Sequence, residues 1–405
     1  MAKQHTARAS MGVRLIGSAI PLTLLFLLIE FFDELHYGIQ GAVMPSLRDE
    51  LSLTYGQIGI LLGLPGILNT FIEPVLMLLG DTAWRKRLIV GGGIFIILAV
   101  LMIGSAQSFP AMLVAFIIAF PASGAFVSLS QATLVDLNPG RQSHMMARWA
   151  AAGSLANLIG PLLVAGGFAL GFGWRWPYFG LALIALGLIL IVISRPFPKI
   201  QAAPGETPDR GGLDFRSLLS NLWQGLRNVR VLRWLVLLEL ADLMLDVFTG
   251  YAALYFADVV GFTPAQVGLI VTVMMAASLA ADLLLIPLLE RVPGRRVVRT
   301  AAALSIPVYA AFLLAPWPVV KIILLVGVKF TVLGWYPVLD GELFASMPGR
   351  SGTAKAVSSL AGLLGGGLIW LIGWAAEQAG LPFAMWLLML GPVSLLLWMP
   401  KAKSD

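Results

Sequence analysis

Twelve apolar runs, each near the ~20 residues that an α-helix needs to cross a hydrocarbon core, recur along the whole 405-residue chain. They fall at about 17–45, 54–80, 88–107, 111–135, 145–169, 175–194, 232–257, 264–289, 298–315, 318–341, 353–378 and 383–399. Runs of that length leave the backbone little choice. In lipid every N–H and C=O must find an internal partner, which a helix supplies within itself. The chain therefore reads as an all-α polytopic membrane protein. Its charged fraction of 12% is about half that of a soluble domain. The absence of cysteine excludes disulfides, thiolate metal sites and cysteine catalysis. The first run is too long for a signal peptide and has no small-residue cleavage site, so it is expected to remain as a helix.

The net charge of +6 is a topology signal rather than a nucleic-acid signal. Twenty-three of the 27 basic residues fall on one side of the twelve-span arrangement, from Lys3, Arg8 and Arg14 through Arg85, Lys86 and Arg87 to Lys401 and Lys403. Arg48, Arg175 and Lys321 fall outside that set, and Lys329 lies within a span. The positive-inside rule then predicts cytoplasmic termini and residence in the plasma (inner) membrane.

A shift of 209 residues aligns the chain with itself. It pairs Glu30 with Glu239, Asp33 with Asp242, Gly41 with Gly250 and Asp49 with Asp258. Thr54, Gln57 and Gly59 fall on Thr263, Gln266 and Gly268, Glu73 on Asp282, and Asp81 on Glu290. Pro139-Gly140-Arg141 still matches Pro348-Gly349-Arg350 without a gap. The halves are thus expected to be two pseudo-symmetric six-helix bundles of equal orientation, 1–194 and 232–405, joined by a cytoplasmic linker over 195–231. In one class of secondary transporters built this way, the substrate site lies near the midplane at the repeat interface.

Over essentially its full length the chain resembles the major facilitator superfamily. The residues that carry the resemblance are Asp81-Thr-Ala-Trp-Arg85-Lys86-Arg87, similar to the family's loop 2–3 signature of an Asp followed by a basic cluster. Glu290-Arg291-Val-Pro-Gly294-Arg295-Arg296 resembles it in the second half. The resemblance implies the major facilitator fold. It also implies a cytoplasmic charge latch, released as the transporter changes state. Asp81, Arg85 and Lys86 would form it with Asp136 as partner of Arg85, and Glu290, Arg291, Arg295 and Arg296 would form its second copy. The chain departs from the signature at Met77, where the leading glycine belongs, and at Trp84, where another glycine is expected. Gly153-x6-Gly160-Pro161 in the fifth span resembles the Gly-Pro motif of the family's drug and metabolite:proton antiporters. Helix packing through small residues is the alternative reading. His36-Tyr-Gly through VMPSLRDELSLTYGQIGILL is similar to fosmidomycin-resistance-type exporters. Neither match specifies a cargo.

The chemistry lies in the charges inside the spans. At 100° per residue, Glu30, Asp33, Glu34, Tyr37 and Gly41 share one stripe about 100° wide. Glu239, Asp242, Asp246 and Gly250 trace the same stripe in the seventh span. The resemblance implies that the first, fourth, seventh and tenth spans line a central cavity, so the two acidic stripes would face each other across it. A carboxylate in a bilayer is costly unless it is paired or protonated. A carboxylate that gains and loses a proton as access alternates is what coupling to a proton gradient requires. His36 shares that duty or merely serves Asp33 as a hydrogen-bond partner. Any single acid has the alternative of hydrogen bonding to a neighbouring helix.

Lys329 stands mid-membrane in the tenth span, with Tyr336 and Asp340 at i+7 and i+11. The acids of the first or seventh span are its expected partners, and anion binding is the competing role. Many exporters of the resembled family carry an Arg in the fourth-span motif that here reads FPASG, where Phe120 is the repeat mate of Lys329. Glu73 and Asp282 lie about 12 Å inside their helices from the cytoplasmic end. They are candidates for the inner vestibule, for proton binding or for interhelical bonding.

Gly91-Gly92-Gly93 and Gly365-Gly366-Gly367 lie in spans and lack the lysine of a P-loop, so no ATP site is expected. No nucleophile–base pair suggests an enzyme, and no resident cofactor or metal is expected. The reading is a monomeric secondary transporter in the lipid bilayer that alternates access by rocking its bundles, with protons and a small molecule as its partners. It is expected to be a proton-coupled exporter of a cationic, zwitterionic or lipophilic organic compound. The alternatives are uptake of a nutrient or organic anion, and divalent-metal export on the oxygens of Glu30, Asp33, Glu239, Asp242 and Asp246.

Overall fold

The computed structural model describes residues 21–53, 55–197 and 215–400. Lys3, Arg8, Arg14, Thr54, Lys199, Arg210, Lys401, Lys403 and the first residues of the first span lie outside them. The described residues are helical and contain no strand. The first half gives Leu22–Glu50, Tyr55–Gly80, Arg85–Ser105, Phe109–Asp136, Gln142–Ala169 and Trp176–Ser194. The second gives 229–259, Pro264–Arg291, Gly294–Leu314, Pro318–Ala345, Ser351–Ala379 and Leu381–Trp398. These are the twelve spans of the fold. Ten are long and apolar enough to cross a membrane by length and composition. The other two are the first and seventh, each with three carboxylates in its apolar stretch, so neither is built to face lipid all round.

The first helix ends at Glu50, five residues later than its apolar run suggests. Glu50 accepts a hydrogen bond from Trp174 and pairs with Arg175, which anchors this end after hydrophobicity has run out. The 195–231 stretch also contains a helix, Phe215–Arg227, in what reads as a polar linker. Its leucines recur at helical spacing but alternate with polar residues, so mean hydropathy hides it.

The duplication reaches the backbone. Helix starts Tyr55 and Pro264, Arg85 and Gly294, Phe109 and Pro318, and Gln142 and Ser351 are each 209 residues apart. The left-handed residues pair in the same way, Ser52 with Gly261, Gly140 with Gly349 and Gly171 with Gly380.

Two compact units result, and they interleave along the chain. One runs to Asn138 and takes in Leu155–Gln224 and Met347–Ser359, so it owns the start of the eleventh span. The other comprises Pro139–Ser154, Gly225–Ser346 and the chain from Leu360, and owns the start of the fifth. Within the first unit the third span is the hub. Gly92 and Gly93 sit where a Cβ would lie 2.7 Å from the Phe126 nitrogen and 2.6 Å from Ile189. Helices associate in lipid through such small residues. In the second unit Phe248, Tyr255, Phe256, Tyr309 and Phe312 form an aromatic core with neighbouring ring centroids 5.6–6.2 Å apart.

Candidate functional site

In the first unit the fourth span is irregular where its acids' partners sit. After Phe120-Pro121 the helix opens into a π turn, Gly124–Ser128, before resuming to Asp136. Proline has no N–H to give to the ladder, and π turns are frequent at functional positions. Ser123, just before the turn, donates to Asp33 at 2.8 Å. Ser128, at its end, donates to Glu73 at 3.1 Å, and Asn69 adds a second donor at 2.9 Å. Glu34 accepts from Asn157 of the fifth span at 2.7 Å. One helical turn on, a Cβ on Gly160 would lie 3.0 Å from the Gly38 carbonyl carbon. The Gly160-Pro161 motif is thus a backbone crossing point. Glu30 is buried, and Lys355 from the start of the eleventh span is the cation whose charge acts on it. His36 is buried against the rings of Tyr37 and Tyr178, its Nε2 without a hydrogen-bond partner among the described residues. Tyr37 meets the Phe120 ring edge-on.

The second unit treats its acids in kindred fashion. The seventh span carries two π turns, Leu243–Val247 and Tyr255–Val259, the first containing Asp246. Lys329 is buried and donates to Thr249 at 2.7 Å, 5.7 Å from the Phe248 ring. Asp246 and Asp282 are the carboxylates whose charge acts on it. Asp282 accepts from Ser154 at 2.5 Å. Glu239 occupies the space that Gly365 leaves open, since a Cβ there would run into its carboxylate. Asp242 follows on the same stripe, half-buried. The tenth span breaks after Thr331 at Gly334, whose φ is 75°, and restarts at Trp335. That break is the repeat counterpart of the fourth-span π turn. It interrupts the register by which Tyr336 and buried Asp340 would follow Lys329 at i+7 and i+11.

These partners have a chemical consequence. Asp33, Glu34, Glu73 and Asp282 are all held by hydroxyl or amide donors. A carboxylate that accepts from a hydroxyl can take up a proton while the hydroxyl turns from donor to acceptor to follow it.

The acids at the ends of the spans are held differently. Asp81 accepts from the backbone N–H groups of Gly352 and Thr353 at 2.7 and 2.6 Å and from the Thr353 hydroxyl at 2.6 Å. It thereby caps the N-terminus of the eleventh span, where unpaired N–H groups favour an anion. A Cβ on Gly352 would collide with Asp81 and the Met77 carbonyl, so only glycine fits. Arg85, buried, binds Asp81 at 3.1 Å, Asp136 at 2.5 Å, the Gly80 carbonyl and the Ser351 hydroxyl. Burial pushes the Asp81 carboxyl up, while Arg85, the Thr353 hydroxyl and the two N–H groups pull the other way.

The second copy is built otherwise. Arg85 has Gly294 as its repeat mate, and Arg295 instead grips Glu342 with two bonds of 2.6 Å. Glu290 is exposed, 3.9 Å from His144, and Arg291 and Arg296 are exposed. Lys86 caps the end of the sixth span through the Ile193 and Arg195 carbonyls. Ser123, Asn157, Ser154, Thr249, Lys355 and Glu342 were not legible as site residues. Ser351-Gly-Thr353 after Pro348-Gly349 did carry an N-cap signature.

The Major Facilitator Superfamily model matches residues 26–370. The chain belongs to the Major Facilitator Superfamily. As a member it is a membrane transporter and not an enzyme. Two structures of FucP, the E. coli fucose:proton symporter, share its fold. The one in the outward conformation has a TM-score of 0.79 and 17% identity over 94% of this chain and 98% of that one. The human organic anion transporter MFSD10 (TETRAN) has a TM-score of 0.73 and 18% identity over 93% and 98%. In sequence, the multidrug export protein EmrB of Haemophilus influenzae is 25% identical over 176 residues, 43% of this chain. The match spans about a third of that relative's length, 34%. Among the described residues of this superfamily member, no group of three or more His, Asp or Glu is arranged to hold a metal ion.

Proposed function

We propose that this transporter exports a small organic cation, zwitterion or lipophilic compound in exchange for protons, by alternating access between its two bundles. The observation that carries the reading is the contrast in how its acids are held. Within the spans, Asp33, Glu34, Glu73 and Asp282 each accept a hydrogen bond from a hydroxyl or amide side chain. At the span ends, Asp136, Glu50 and Glu342 are paired with arginine, and Asp81 is also held by a helix N-terminus. The first set is suited to proton exchange and the second to holding position. Glu30, Asp33, Glu239 and Asp242, matched by the repeat, are the shared proton and cargo positions, with Glu34 and His36 as specialisations of the first half. Lys329, held by Thr249 beside Asp246 and Asp282, balances charge rather than binding an anion. The distant likeness to a multidrug export protein supports export. The basic residues gathered on one side support cytoplasmic termini in the inner membrane. Asp81, Arg85 and Asp136 would hold the start of the eleventh span in one state and release it in the other.

The test uses purified protein in liposomes loaded with a pH-sensitive dye, with ethidium as a trial organic cation. Ethidium added outside should enter as protons leave, so the lumen should turn alkaline in proteoliposomes and much less so in protein-free liposomes. Asp33→Asn and Asp242→Asn should each lower the coupled flux at least about tenfold, the effect of a lost protonation step. Flux that ignores an imposed proton gradient and survives both substitutions would sink the coupling mechanism.

A further inference from the structure

Where the seventh span begins and the twelfth ends, an open groove of about 520 Å³ lies between them. Val229, Leu232, Val236, Leu237, Leu397 and Trp398 supply its apolar lining, and Arg233 lines it as well. Val229 and Leu397 are 69% and 70% exposed, which suits contact with acyl chains. Arg230, one turn before Arg233, is exposed as well. The Asn228 side chain accepts from the Arg230 N–H and fixes the helix start there, which keeps both guanidinium groups in its first turns. No carboxylate lines the groove among the described residues. Trp398 closes the last turn of the twelfth span, and tryptophan is enriched at the membrane–water interface.

We propose that this groove is a binding site for one phospholipid with a net anionic headgroup. Its acyl chain lies along Val229, Leu232, Val236 and Leu397, and its phosphate rests on Arg233 and Arg230. Apolar walls alone accept any lipid tail. Two arginines, with no carboxylate among the described lining residues, select the headgroup, because a choline or ethanolamine cation brought next to them is repelled while a net negative headgroup is attracted. The long arginine side chains reach the phosphate layer while their stems stay in the apolar region. The site is independent of the transport reading, since none of its residues belongs to the acid stripes or the latch.

The experiment is native mass spectrometry of the detergent-purified protein equilibrated with equal amounts of phosphatidylglycerol and phosphatidylcholine. The wild type should retain phosphatidylglycerol preferentially, and each guanidinium should account for about fivefold of that preference. Arg230→Gln with Arg233→Gln should abolish it, Arg230→Lys with Arg233→Lys should keep most of it, and Arg87→Gln in the other unit should not alter it. Val236→Trp, which fills the groove, should lower retention of both lipids. Circular dichroism and a thermal melt report whether each variant is folded. The proposal fails if the wild type shows no headgroup preference or the glutamine pair retains it. It fails equally if Val236→Trp binds as well as the wild type, or if glycerol phosphate without an acyl chain competes as well as the lipid.

Discussion

Ser52 has φ 50°, and it is the one non-glycine among the left-handed residues described. Its repeat mate, Gly261, has φ 80° and no Cβ to strain. For an L-residue that conformation costs roughly 1–2 kcal/mol, and the Ser52 side chain is exposed and has no packing to lose. Ser52→Gly should therefore stabilise the protein by about 0.5–1 kcal/mol after the added entropy of the unfolded glycine is counted, and Gly261→Ala should destabilise it by a similar amount. A rise in the melting midpoint of the first and a fall in the second, in one detergent, is the expected pair; a fall in the first refutes it. The same scale explains what the sequence could not disclose about the site. Carboxylates in spans are rare enough to be noticed one by one, and Glu30, Asp33 and Glu239 announce themselves. Serine, threonine and asparagine are ordinary in membrane helices, so nothing in the letters singles out Ser123, Ser154, Thr249 or Asn157 as the donors that hold the acids. Their choice is made by packing.

Helical elements were legible because lipid permits few alternatives to a helix, and the duplication supplied a second reading of the earlier spans of each half. Irregularities within helices were not legible. Pro121 hints at the π turn over Gly124–Ser128, yet the seventh-span turn at Leu243–Val247 has no proline, and Gly334 looks like any other membrane glycine. These deviations depend on neighbouring side chains rather than on local propensity. The crossing of the first and fifth spans settles in physical terms what one motif does to the fold. A methyl on Gly160 would press on the backbone of Gly38 and Ile39 at 3.0 Å, and backbone cannot rotate away. Gly160→Ala should cost about 1–3 kcal/mol by overpacking, whereas Gly166→Ala, with nothing within 4 Å of its Cβ, should be neutral or slightly stabilising. Thermal unfolding of the two variants tests this. Should Gly160→Ala keep full stability and lose only coupled flux, the glycine serves the transport cycle rather than the crossing.

At the scale of the whole molecule, two facts pull against each other. The chain is a duplication with one polar connection, which suggests halves that stand alone, yet each compact unit borrows a segment from the opposite half of the sequence. Asp81 and Arg85 bind Gly352, Thr353 and Ser351 across more than 250 residues of chain, all inside the first unit. Ser154 binds Asp282 inside the second. A break in the covalent linker leaves these contacts untouched, and the linker's closure entropy is a small part of what they supply, since loop entropy grows only with the logarithm of length. Fragments 1–205 and 206–405, co-expressed, should therefore assemble and co-purify in mild detergent on a tag carried by either one. Asp81→Ala removes four hydrogen bonds, two of them the backbone N–H bonds of the helix cap and one the pair with Arg85, worth about 2–3 kcal/mol together, and should lower recovery of the untagged fragment by about tenfold or more. Ser154→Ala should lower it less, because a single bond is lost. If the unmodified fragments elute apart, the exchanged segments contribute little and the linker holds the molecule together. If they stay together and Asp81→Ala makes no difference, the cap is not what joins the two halves of the sequence.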